Sequence, residues 1–259
     1  VLLSQAYDRA NRRDAADTHL AKAAQLQPND ANVRNNIATR MLKSGRVREA
    51  VAETERAVAL NPAAAAIHSN LIMARLYLPE YSASGHLAEA RKWNERHASP
   101  RAVRIRTHEN SRDPERRLRI GYVSADFYRH PVGFFMMGPL AHHNRTAFEI
   151  FCYSNGRPDA YTEKLQHDGD TWHDICRVSD DDFVAMIRAD KIDILVDLAG
   201  HTAGNRLTAF AMRPAPVQFT GGGLTGTTGL DAIDYLISDR FETPEAFDIY
   251  YSEKPIRLP

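Results

Sequence analysis

The sequence predicts a solenoid of paired α-helices followed by a doubly wound α/β lobe, and three observations carry that expectation. The first hundred residues have helical periodicity and repeat themselves at a fixed interval. From Leu118 onward, short Val/Ile/Leu-rich runs alternate with helical stretches. Composition changes near residue 100, which divides the 259 residues into two domains.

Residues 1–66 are rich in Ala, Leu, Arg and Glu. "LAKAAQLQPNDA" reaches Pro28 and "TERAVALNPAAA" reaches Pro62, an interval of 34 residues. That interval is the tetratricopeptide period. In this register Leu3, Tyr7, Ala16, Leu20, Ala23 and Pro28 are followed by Ile37, Met41, Ala50, Ala57 and Pro62. Small residues at Ala16/Ala50 and Ala23/Ala57 let neighbouring helices approach, and the prolines open each new hairpin. About two repeats bury too little core to stand alone, so further repeats are expected before Val1. Such arrays offer a concave surface to extended peptides or proteins. After Ala66, Pro79 ends one helix, "SASG" reads as a loop, and His86 to His97 forms an amphipathic helix. Residues 1–97 are thus repeats and adapting helices, and the charged stretch 98–116 reads as a linker.

In residues 117–259, strands are expected at 118–123, 148–154, 192–198, 217–220 and 232–238, with helices at 132–142, 159–167, 180–190 and 203–212. Continuous apolar runs imply strands buried on both faces, hence a parallel, Rossmann-like sheet covered by helices. Ligands of such sheets bind beyond the carboxyl ends of the strands. Three loops therefore become candidates: 124–134, 199–204 and 221–229.

Lys+Arg and Asp+Glu balance at 33 each, which gives no general affinity for a phosphate backbone and argues against nucleic-acid partners. The two cysteines, Cys152 and Cys176, cannot build a disulfide framework and read as reduced core residues of a cytoplasmic protein. No signal-peptide pattern opens the chain and no apolar run nears the ~18 residues of a spanning helix, so no membrane association is expected.

His130 stands at a strand-to-helix junction in "SADFYRHPVGF", where Pro131 presets the first helical turn. An imidazole held there can carry a proton near neutral pH, or it can be a turn residue. Asp126 can orient that ring or cap a turn. "DLAGHT" places His201 and Thr202 beyond a buried strand, as site residues or as a polar loop in which Thr202 caps the next helix. "GGGLTG" matches the dinucleotide fingerprint formally, but no helix follows it; a flexible loop approaching a ligand through Gly222 and Gly223 fits better. His142, His143, His167 and His173 lack a metal-ligand spacing and read as surface residues. Asp180, Asp181 and Asp182 suit a helix N-terminus.

The succession of repeats, "RLRIGYVSADFYRHPVGFF", "FEIFCYSNG", "DILVDLAGHTAGNRL", "FAMRPAPVQ" and "DYLISD" resembles the O-linked N-acetylglucosamine transferase family, bacterial branch. The resemblance implies repeats joined to the N-terminal half of a GT-B glycosyltransferase, with the second lobe outside residues 1–259. It implies an inverting transfer of N-acetylglucosamine from UDP-N-acetylglucosamine to Ser or Thr hydroxyls of acceptor proteins lying along the repeat groove. No cofactor and no metal are implied. His130 would be the base or proton relay and Asp126 its support, with Pro131, Val132, His201 and Thr202 lining donor or acceptor. His68, in "HSNL", lies near a place where family members carry another histidine. Where the family shows an apolar pair and G-Y-P-G-T-S-G, this sequence has Gly221 to Gly229, so a looser loop is expected. The alternatives are a repeat scaffold that has lost activity and a related protein O-fucosyltransferase; a dinucleotide-binding oxidoreductase ranks last.

Overall fold

The computed structural model describes residues 2–10, 12–104 and 107–259. The chain divides into two compact units, Val1–Ser82 and Ala83–Pro259.

In the first unit the described helices are α1 (Leu2–Arg9), α2 (Arg13–Leu26), α3 (Ala31–Lys43), α4 (Val47–Leu60) and α5 (Ala65–Arg75). Starts at Arg13 and Val47, and at Ala31 and Ala65, are both 34 residues apart. The small residues do what close packing requires: Ala16, Ala50 and Ala57 are wholly buried. Ala57 meets Ala31 and Ile67, while Val51 packs with Leu71 and Ala74. Leu3, expected at a packing position, is instead 60% exposed. Asp30 caps α3 by accepting from the Val33 amide at 2.9 Å, as a carboxylate at a helix start should.

The second unit begins earlier than the composition suggests. The helix α6 (Ala83–Trp93) starts inside "SASG" and runs into a π-turn, Asn94–Ala98, and then the short α7 (Ser99–Ala102). This stretch, read from sequence as part of the repeats, belongs to the α/β unit. The supposed linker is also fastened to that unit. Arg104 pairs with Asp181 at 2.5 Å, and Asn110 and Arg116 both bind the buried carboxylate of Asp193. Its charges therefore have partners far along the chain, which a local reading cannot see.

The remaining elements are β1 (Leu118–Ser124), α8 (Pro131–His142), β2 (Phe148–Ser154), α9 (Ala160–Asp168), β3 (Thr171–Asp174), α10 (Asp180–Ala189), β4 (Ile194–Asp197), α11 (Leu207–Phe210), β5 (Val217–Thr220), β6 (Tyr235–Asp239), a 3-10 turn at Glu245–Tyr250 and β7 (Lys254–Leu258). The seven strands form one sheet in the order β3-β2-β1-β4-β5-β6-β7, and every pairing is parallel. Strand order reverses between β1 and β4, the switch point of a doubly wound fold. Ile120, Ile150 and Val196 from the strands, with Leu198 just beyond β4, pack with Val132, Met136 and Leu140 of α8 and Leu165 of α9.

Two strands escape the sequence reading. β3 is four residues long and none of them is buried, and β7 contains Pro255, which a sheet tolerates only at an edge such as this. The helix expected at 203–212 shrinks to Leu207–Phe210, because Gly204 takes a left-handed turn (φ 78°). Cys152 is buried as expected, whereas Cys176 is exposed in the loop after β3. Ser179 caps α10 and Asp180, Asp181 and Asp182 fill its first turn. His142 ends α8 and is exposed, but His143 is half-buried with the Tyr122 hydroxyl 2.9 Å from its Nε2. His173 likewise stacks on Tyr153 and lies 3.1 Å from the Asp190 carboxylate. Neither is a plain surface residue.

Candidate active site

The loops after β1, β4 and β5 all leave the carboxyl ends of central strands, and they touch in series. A β-carbon on Gly204 would come within 2.6 Å of the Ala125 side chain, so the loop after β4 meets the loop after β1. Gly223 lies so close to the loop after β4 that a β-carbon there would sit 2.0 Å from the Leu198 carbonyl oxygen.

The first loop is clamped before it delivers its histidine. Ser124 Oγ accepts from the Asp126 amide at 2.9 Å, the Asp159 carboxylate at the head of α9 accepts from the Arg129 amide at 2.9 Å, and Thr162 donates to the Phe127 carbonyl at 2.6 Å. Helix α8 starts so tightly against this loop that a β-carbon on Gly133 would fall 2.2 Å from the Tyr128 carbonyl oxygen. His130 is the N-cap of α8, with its Nδ1 accepting from the Val132 amide at 3.4 Å. The same Nδ1 lies 3.9 Å from Asp126 Oδ2. The Tyr128 ring leans on the imidazole at 5.4 Å. Burial pushes the Asp126 carboxyl above its ordinary value, against the pull of His130 and Tyr128. Burial and the Asp126 charge together raise the Tyr128 phenol. The motif thus brings together an imidazole, a carboxylate and a phenol.

The structure separates the other expected contacts by kind. Pro131 is exposed beside His130. Val132 is 4% exposed and its side chain belongs to the core, while its amide faces His130. His201 is wholly buried, donating from Nε2 to the Thr228 carbonyl at 2.9 Å and lying edge-on to Trp93 at 5.2 Å. Its ring thereby joins the loop after β4 to the loop after β5. Thr202 turns its hydroxyl back to the Ala199 carbonyl at 2.8 Å and does not cap α11. Gly222 is exposed in a left-handed conformation (φ 78°), open to a ligand's approach. His68 is 2% exposed within α5 of the first unit.

The 221–229 loop is not loose along its whole length. Its second half packs under α6, where Gly226 abuts His86 and Gly229 abuts Ala90. His86, whose imidazole burial pushes below its ordinary value, bonds the Thr227 carbonyl at 3.0 Å. The hydroxyls of Thr227 and Thr228 both donate to the buried carboxylate of Glu253.

Asp197, at the root of the loop after β4, is a buried carboxylate that the sequence reading passed over. It ends β4 wholly buried and accepts from the amides of Ala199 and Gly200 and from Thr220 Oγ1, at 3.1, 2.7 and 2.8 Å. Burial pushes its carboxyl up to about 6, although those three donors pull it down. Its signal was present: a polar residue closing a buried strand at the switch point. Tyr128 had a weaker one, an aromatic between Asp126 and His130. Glu253 had none, since its partners lie about 25 residues away. Among the described residues, no three His, Cys, Asp or Glu side chains converge as metal ligands.

A parallel doubly wound lobe whose switch-point loop presents an imidazole beside a carboxylate belongs to the α/β class that receives ligands at the strand ends. The chain is a member of glycosyl transferase family 41, whose sequence profile matches residues 100–259. It is 41% identical over 156 residues to a probable UDP-N-acetylglucosamine–peptide N-acetylglucosaminyltransferase SPINDLY of Petunia hybrida, covering 58% of this chain and 17% of that protein. A probable transferase of the same description named SEC, from Arabidopsis thaliana, is 42% identical over 146 residues, covering 56% and 15%. A solved mutant of the Thermobaculum terrenum O-GlcNAc transferase superimposes with a TM-score of 0.92 at 37% identity, over 99% of this chain and 49% of that one. The chain therefore spans about half of the solved enzyme and under a fifth of these two curated relatives.

Proposed function

We propose that the chain is part of a protein O-N-acetylglucosaminyltransferase, which moves N-acetylglucosamine from a UDP donor to Ser or Thr hydroxyls of proteins with inversion. The observation that carries this reading is membership of family 41 over the lobe that presents His130 and Asp126. In such a transfer the acceptor oxygen bonds the anomeric carbon as the bond to the diphosphate breaks, and the hydroxyl proton departs. Groups must stand ready to hold substrate oxygens and to offset the leaving charge. His130, Asp126, Pro131 and Gly222 are the residues of this lobe assigned to donor and acceptor, and Asp197 positions the loop after β4. The 34-residue offset between helix starts supports reading the first unit as tetratricopeptide repeats, which take extended polypeptide in their groove.

The test uses the full-length protein, wild type and His130→Ala, with transfer from UDP-N-acetylglucosamine to protein followed beside calorimetric binding of UDP. Transfer is expected to fall by at least about 10²-fold while UDP affinity changes little. Unchanged turnover would remove His130 from the reaction. A wild-type protein that binds neither UDP nor UDP-N-acetylglucosamine would leave the scaffold reading in its place.

A further inference from the structure

We infer that the exposed face of α8, with the arginines that flank it, is a docking surface for the acceptor polypeptide, and that it favours acceptors with acidic and apolar side chains two or three residues from the Ser or Thr. That the docked polypeptide is a substrate rests on the transferase reading above; the affinity of the surface for acidic polypeptide stands on its own residues.

Helix α8, PVGFFMMGPLAH, has His142 as its one ionisable side chain. Its core side is taken by Val132, Met136 and Leu140, spaced four residues apart as one helix face requires. Phe134 and Phe135 are left 45% and 70% exposed, within the first two turns after His130. The Phe134 ring meets Tyr161 of α9 edge-on at 5.2 Å, which fixes an aromatic surface at the starts of both helices. Adjacent phenylalanines left in water forgo the burial that a partner would give them, and an exposed apolar patch beside a site marks an interaction surface.

The free charge beside these rings has one sign. Elsewhere in the α/β unit arginines face carboxylates: Arg116 meets Asp193, Arg145 meets Asp170, Arg206 meets Asp180 and Arg213 meets Asp234. Arg129 and Arg157 are exposed and have no such partner among the described residues. The fold sets their backbones side by side. The Arg129 amide donates at 2.9 Å to Asp159, two residues after Arg157, and a β-carbon on Gly156 would sit 2.0 Å from the Ala125 carbonyl oxygen. Asp159 is already committed, because Oδ1 accepts the Tyr161 and Thr162 amides and Oδ2 the Arg129 amide. Lys164 stands over the Tyr161 ring at 5.1 Å and extends the cationic edge along α9, whereas Glu163, two residues from Tyr161, lies on another side of that helix. Basic and acidic residues balance over the chain at 33 each, so the excess is local. Aromatic rings edged by cations fit a polypeptide that brings carboxylates and apolar groups together. The reach agrees as well. Phe135 is five residues from His130, about 7.5 Å along the helix axis, and an extended acceptor covers about 3.3 Å per residue. A hydroxyl at the site beside His130 therefore sets side chains two or three positions away over the rings and arginines.

Charge reversal in the full-length protein tests the inference against two acceptor peptides, identical except for Asp or Lys at the second and third residues on either side of the Ser. At low salt the wild type should show a kcat/KM at least about fivefold higher for the acidic peptide, and the two should converge as salt is added. The double variant Arg129→Glu/Arg157→Glu should raise KM for the acidic peptide roughly five- to tenfold and lower it for the basic one, with kcat and UDP affinity unchanged. Phe135→Ser should raise KM for both peptides alike, by about threefold or more. Equal kcat/KM for the two peptides in the wild type, or a double variant that keeps the wild-type preference, would overturn the inference. Loss of UDP affinity in the variants would also overturn it, by placing the surface against the donor or the rest of the enzyme. Wild-type binding to phosphatidylserine vesicles that the double variant loses while its KM holds would make the surface a lipid contact instead. If the wild type transfers no sugar at all, the transferase reading fails, and calorimetric binding of the two peptides still decides whether the surface takes acidic polypeptide.

Discussion

Replacing Glu253 by glutamine, a change of one atom, is expected to destabilise the α/β unit by about 1–3 kcal/mol. The carboxylate is 3% exposed and accepts from the Thr228 amide at 2.8 Å, the Thr228 hydroxyl, and the Thr227 hydroxyl at 2.6 Å. Thr227 Oγ1 itself accepts from the amides of Gly229 and Ser252, both at 3.0 Å, so its lone pairs are spent and its proton must go to Glu253 or to Ser252 Oγ, 2.8 Å away. A glutamine amide group facing Thr227 finds no acceptor, and one facing Thr228 meets a fixed backbone N–H. Either orientation leaves one buried donor unsatisfied, which costs about 1–3 kcal/mol, partly offset because a charge is no longer buried. Glu253→Ala orphans more donors and opens a cavity, so it should cost more. The two tryptophans, Trp93 and Trp172, both lie in the α/β unit, so urea unfolding followed by tryptophan fluorescence reports this unit. With an m-value of about 2–3 kcal/mol/M, the midpoint should fall by roughly 0.3–1.5 M. A Glu253→Gln midpoint equal to that of the wild type would refute the hydrogen-bond accounting.

Gly133→Ala drives a β-carbon to 2.2 Å from the Tyr128 carbonyl oxygen, so α8 or the site loop must shift. A loss of about 1–3 kcal/mol is expected despite alanine's better helix propensity, with reduced transfer in the full-length protein; a thermal melt matching the wild type would contradict it. Asp197 supplies a pH dependence of defined sign. Its carboxyl stands at about 6 when folded against an ordinary 3.8, so the native state holds the proton more tightly. The stability it adds is complete below about pH 4 and lost as pH rises through about 6, by up to about 3 kcal/mol. Urea midpoints at pH 4.5 and 7.5 should therefore show the wild type losing stability relative to Asp197→Asn; a difference that does not vary with pH would refute the burial argument.

Much of the architecture was legible in the sequence because its signals are local. A 34-residue recurrence of small residues and prolines needs no partner to be seen, and the helix starts at Arg13 and Val47 follow it. Buried runs such as "FEIFCYS" announce parallel strands by composition alone, and the HP junction identifies a helix start because proline suits the first turn. What only the tertiary structure decided is which polar groups face one another. His201 and Val132 look like ligand contacts in the chain but lie in the core, Arg104 and Arg116 look like linker charges but bind carboxylates about 77 residues away, and the glycine loop rests on α6. Chain periodicity reports which face of an element is apolar, and it carries no information about the side chain that folding sets opposite a given hydrogen-bonding atom.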